Sequence, residues 1–228
     1  MKLKKIASLM LAGVMAISML TACGDNGTND EGKGEGETVV AGYSTTFADK
    51  LGKAVTDLDH VSFKDNTADA AALQKSLNYI SEQSLSVLSM ERTVDSLEDK
   101  NQADVKAMVA DFIDAAKISD KKIDAVDLKM DWYASNMINN TTVKDGAIYV
   151  VNGAVGADEA VKQVAAELKD NLKALPEHNT NAGTVQKYDY SYVVSVSVAT
   201  KALDSTYVGA SNSATFVAVT VTRTAVQG

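Results

Sequence analysis

The sequence predicts an α+β domain in which an N-terminal layer of about four helices packs with a C-terminal β-α-β-β unit. Two observations carry this. From Phe47 to Met137, apolar residues recur at the three- and four-residue intervals of helices. From Tyr188 to Val198, and again from Val217 to Val221, they fall at every second position, the interval of a strand with one buried face. The period changes at Asp145-Gly146, so helices precede most of the strands instead of alternating with them.

The chain opens with Lys2, Lys4 and Lys5, followed by the apolar run Ile6–Leu20 and then Leu20-Thr21-Ala22-Cys23. At 15 residues the run is shorter than the roughly 20 that a membrane-spanning helix needs. With a basic start and small residues at its end, it reads as a signal peptide covering residues 1–22. The stretch Leu20-Thr21-Ala22-Cys23 resembles the lipobox of bacterial lipoproteins. That resemblance covers the N-terminal segment alone. It implies cleavage before Cys23 and a thioether-linked diacylglyceryl group on its sulfur, with fatty-acyl chains of the palmitate class. Two acyl chains hold a protein stably on a membrane where one does so marginally. The expected location is the extracytoplasmic face of the cell membrane. Cys23 is the sole cysteine, so its acylation leaves no thiol for a disulfide, a metal or a nucleophile.

Removing residues 1–22 takes three lysines and no acids from the 228-residue chain, which shifts its net charge from −8 to −11. So acidic a domain lacks the basic stripe that nucleic-acid binding requires and is repelled by anionic surfaces. Residues 23–38 follow as an acidic, Gly-rich tether: Gly24–Glu37 contains no apolar residue and is expected to stay extended by self-repulsion. Residues 39–228 are expected to form one globular domain, with a helical part over about 43–140 and the β-α-β-β part over about 146–225.

Within the helical part, Phe47, Leu51, Val55 and Leu58 follow Ser44-Thr45-Thr46, whose hydroxyls suit an N-cap. Thr67–Leu97 carries an apolar face that fits one long helix, or two with a bend at the serine-rich Ser84–Ser89. A third helix is expected over Ala103–Lys117. A fourth is expected to begin at Ser119, with Ile118 and Ile123 as a hydrophobic staple, and to end near Asn139-Asn140. In the β-α-β-β part, Ala147–Val151 is apolar enough for burial on both faces. Gly153–Gly156 turns into a helix from Asp158 that Pro176 stops. The strands at 188–198 and 217–221 are expected to pair in a small, mainly antiparallel sheet with one face on the helices.

Candidate sites are few. Tyr188, Tyr190 and Tyr192 share one strand face, and with Trp132 they form a candidate ligand platform for a sugar or peptide. The same face continues as Val194, Val196 and Val198, which belong in a core. His60 and His178 are the only histidines and lack the spacing of a metal or triad motif. Asn152-Gly153-Ala154-Val155-Gly156 lies between strand and helix but lacks the Lys-Ser/Thr of a phosphate loop. Asp124, Asp127 and Asp131 read as a solvated helix face. The sequence therefore assigns no catalytic residue, metal site or cofactor. Its best reading is a lipid-anchored envelope protein, non-enzymatic, that binds a protein, peptide or glycan partner. The alternative is an envelope hydrolase or transferase using carboxylate acid–base chemistry, which needs neither Cys nor His.

Overall fold

A computed structural model describes residues 39–98, 100–119, 142–178, 188–204 and 213–228. In chain order the elements are β1 (Val39–Gly42), α1 (Ser44–Leu51), α2 (Lys53–Thr56), β2 (Val61–Phe63), α3 (Thr67–Ser76), α4 (Glu82–Leu88), β3 (Asp95–Ser96), α5 (Ala103–Ala116), β4 (Val143–Asn152), α6 (Ala157–Lys173), β5 (Tyr188–Ala202) and β6 (Ser213–Gln227). The fold is α+β.

Local chemistry explains several boundaries. Asn66 accepts hydrogen bonds from the N–H groups of Ala68 and Asp69 and so starts α3. Ser81 does the same for α4 by accepting from Ser84 N–H. The stretch Thr67–Leu97, expected as one long helix or as two, is thus divided into α3, a 3-10 turn at Leu77–Tyr79, α4 and β3. The break falls at Ile80, which is extended, ahead of the serine-rich stretch. Ser84 and Ser86 instead lie within α4 and Ser89 caps its end, and the hydroxyls of Ser86 and Ser89 donate to the carbonyls of Gln83 and Ser86. The helix expected from Ser119 to Asn140 lies outside the described residues.

The sheet is built on β5. Along one edge β5 pairs antiparallel with β6 from Tyr188↔Gln227 to Ala202↔Ser213, and β6 pairs in turn with β4, which carries the short β3. Along the other edge two short strands share β5 end to end. β1 is antiparallel, opposite 197–200, and β2 is parallel, opposite 192–194. Between them Tyr43 N–H and Lys64 N–H donate to the carbonyls of Val196 and Val194, so the edge is bonded continuously. The N-terminal part therefore supplies three strands as well as helices. They escape a reading of period because they span four, three and two residues.

Both faces of the sheet are covered, where one covered face was expected. Consecutive positions 194–199 of β5 and 214–221 of β6 are buried, which alternation alone would not produce. α3 packs with α5, and α1 packs with α6. Asp69 of α3 reaches Thr220, whereas the segment after α6 reaches Tyr192, whose side chain lies on the opposite face. Ser195 and Ser197, which alternate with the valines on the other face of β5, are consequently buried beneath α3. Among the described residues, no helix is long and apolar enough to cross a membrane.

Candidate functional site

The tyrosine row does not form an open platform. Tyr190 and Tyr192 are 3% and 1% exposed, and Tyr188 is half-buried. Trp132, named with them as a platform residue, lies outside the described residues, as do Asp124, Asp127 and Asp131. The reason for the burial is tertiary. The segment leaving α6 folds across the row: Tyr192 donates its hydroxyl to the Pro176 carbonyl at 3.0 Å, and Tyr190 N–H donates to the Glu177 carbonyl at 2.8 Å. On the far side of the row the Arg223 guanidinium sits 4.4 Å above the Tyr190 ring. Arg223 is itself 1% exposed, and Asp145, on the same face of the neighbouring strand, is 3% exposed. Burial raises the Tyr190 phenol above its ordinary value, with the Arg223 charge acting in the other direction.

Both histidines come to this end of the sheet. His60 packs edge-on against Tyr192 at 5.9 Å, and its Nε2 lies 2.8 Å from the Leu175 carbonyl. A carbonyl accepts only, so Nε2 carries the proton in that contact. His60 thereby ties the loop before β2 to the end of α6. His178 Nδ1 lies 2.8 Å from Asp189 Oδ1, with both side chains 60% exposed. The row and the two histidines join three separate segments in space. Their contacts are those of a packed sheet end, with Tyr188, His178 and Asp189 as its accessible rim.

A second feature is a groove of about 460 Å³ between α1 and the start of α6. Tyr43 and Lys50 form one side; Asp158, Glu159 and Lys162 form the other. Burial raises the Tyr43 phenol, and the Asp158 carboxylate adds to this. Glu159 is held below its ordinary range chiefly by its hydrogen bond from Lys162, with Lys50 contributing. An aromatic ring beside both signs of charge suits a polar ligand such as a peptide or glycan. Sequence reading missed this groove because its two walls lie more than 100 residues apart. The glycine turn beside it has a conformational reason: Gly156 has φ 81°, which an L side chain rarely adopts. Asn152 accepts from Ala154 N–H and fixes the turn ahead of it.

Among the described residues, no group of three or more His, Cys, Asp or Glu side chains is placed to hold a metal ion. Comparison with protein-family models, with curated proteins and with solved structures finds no match.

Proposed function

We propose that this chain is a bacterial lipoprotein of the cell envelope, anchored through diacylglyceryl on Cys23, whose globular domain binds a protein, peptide or glycan partner without catalysing a reaction. The observation that carries the reading is the run from Lys2 to Cys23: a basic start, 15 apolar residues and Leu20-Thr21-Ala22-Cys23. The acidic, Gly-rich stretch behind it fits a spacer between membrane and domain. The groove at Tyr43, Lys50 and Lys162 is the surface we assign to the partner. Support for binding over chemistry comes from the work that the polar side chains already do. Asp104, His60 and His178 each hold two segments of the fold together.

We also read residues 39–228 as one cooperative domain in which the N-terminal helices and the β-α-β-β unit form together. The single contiguous core, running from Phe47 to Val221, supports this.

The anchor is tested by Cys23→Ser in the native host. The protein is expected to leave the membrane fraction and to lose incorporation of labelled palmitate. Retention of Cys23→Ser in the membrane fraction at the wild-type level would refute the anchor. The groove is tested by Tyr43→Ala and Lys50→Glu: co-purification of an envelope partner should fall at least several-fold while the fold, read by circular dichroism, is unchanged.

A further inference from the structure

Asp69 and Lys144 stand 75 residues apart in the chain and meet beneath α3, with Lys144 Nζ 2.5 Å from Asp69 Oδ1. Their side chains are 3% and 14% exposed, so this is a pair held largely out of water. The other carboxylate oxygen, Oδ2, accepts a hydrogen bond from the Thr220 hydroxyl at 2.7 Å. Opposite Thr220 in the β5–β6 register, Ser195 carries a buried hydroxyl with no hydrogen-bond partner among the described residues.

Both partners are fixed through their backbones. Asp69 N–H is capped by Asn66 in the first turn of α3. Lys144 is paired with Thr222 of β6 on one side. On its other side, Lys144 N–H donates to Ser119 Oγ, and the Lys144 carbonyl accepts from Ser119 N–H. Beside them Gly146 adds no side chain to the row shared with Thr220.

We infer that this pair is the seat of an intramolecular cross-link: an isopeptide bond between Lys144 Nζ and Asp69 Cγ. The chemistry balances within the pair. Lys144 Nζ, having given up a proton, attacks Cγ; the new C–N bond forms and the Cγ–Oδ1 bond breaks. Oδ1 leaves as water with two of the three ammonium protons, and the amide nitrogen keeps the third. Nothing is oxidised or reduced, and no co-reactant enters. Three features favour the step. The buried ion pair bears a desolvation cost that a neutral amide does not. The two groups are held in contact by rigid elements, which removes the entropic part of the barrier. The Thr220 hydroxyl is aimed at Oδ2, where negative charge collects as Nζ adds to the carbon.

The consequence is a covalent staple from α3 to β4 in a chain whose sole cysteine excludes an internal disulfide. Closing so long a loop stabilises the fold by restricting the unfolded chain. The inference does not depend on the anchor.

A tryptic map of the full chain, purified and then denatured, decides it. The linear peptide Asp65–Lys75 should be replaced by a branched species joined through Lys144. Its mass should lie one water, about 18 Da, below the sum of its parts, with no cleavage after Lys144. A linear Asp65–Lys75 peptide together with complete cleavage after Lys144 would overturn the inference, whatever the variants do. Lys144→Arg keeps the positive charge but lacks the amine and should abolish the branched species; persistence of the mass deficit in that variant would also overturn it. Thr220→Val should lower the linked fraction several-fold and Thr220→Ser should restore it. A linked fraction unchanged in Thr220→Val would remove the hydroxyl from the account.

Discussion

Asp104 shows how much one side chain organises in this fold. It sits in the first turn of α5 and accepts three hydrogen bonds from α4's start: the Ser81 N–H, the Ser81 hydroxyl at 2.6 Å and the Ser84 hydroxyl. Burial alone would raise its pKa. The bonds from Ser81, then Ser84 and its neighbour's amide N–H, outweigh that and bring it to about 2. A depressed carboxyl contributes stability that is fully present above its unfolded value, about 3.9, and is lost as pH falls through the folded value. Asp104→Ala should therefore cost about 1–2 kcal/mol at neutral pH. Its acid unfolding should lose the part of the wild-type dependence that lies between about pH 4 and pH 2, as measured by denaturant titration across that range. Ser195 makes the opposite case, because its buried hydroxyl brings a desolvation cost and has no hydrogen-bond partner among the described residues. Ser195→Ala should change stability between nothing and a gain of about 1 kcal/mol; a loss of more than about 1 kcal/mol would mean that the hydroxyl has a partner.

At the scale of elements, the start of α6 sets the shape of the groove. Gly156 has φ 81°, and a Cβ placed there would meet nothing within 4 Å, so Gly156→Ala tests backbone strain without a clash. A loss of about 1–2 kcal/mol is expected by chemical denaturation. The long elements were legible because period alone defines them. α5 and α6 follow their apolar faces, although α6 ends at Lys173, three residues before the Pro176 expected to stop it. β5 and β6 announce themselves by alternation, although they extend to Ala202 and Gln227, well past the alternating core. What escaped reading has physical causes. β1, β2 and β3 are too short to show a period and exist because β5 and β4 offer them an edge. The burial of the β5 serines left no mark in the sequence because small polar residues pack under a helix as readily as they face water. The tyrosine row could be read as core or as surface because nothing in the local sequence says that the segment after α6, 13 to 16 residues upstream of the tyrosines it bonds, folds back over it.

For the whole molecule, the sheet with helices on both faces carries one apolar core from Phe47 to Val221. Loss of the helices from either face would expose the sheet beneath, so the parts are expected to unfold together. Thermal melts followed by far-UV and near-UV circular dichroism should coincide in one transition; two separated transitions would mean that the helical and β-α-β-β parts are independent. The acidic balance of −8 for the full chain, which the proposed cleavage before Cys23 would make more negative, disfavours settling on anionic lipid or wall polymer. On the reading proposed above, a lipid anchor would be what confines it to the envelope. The most direct test of that central claim is the intact mass and N-terminal residue of the protein extracted from its host's membranes. The account predicts a chain that begins at Cys23 and carries the added mass of a diacylglyceryl group. A chain that begins at Met1, or a Cys23 of unmodified mass, would contradict it.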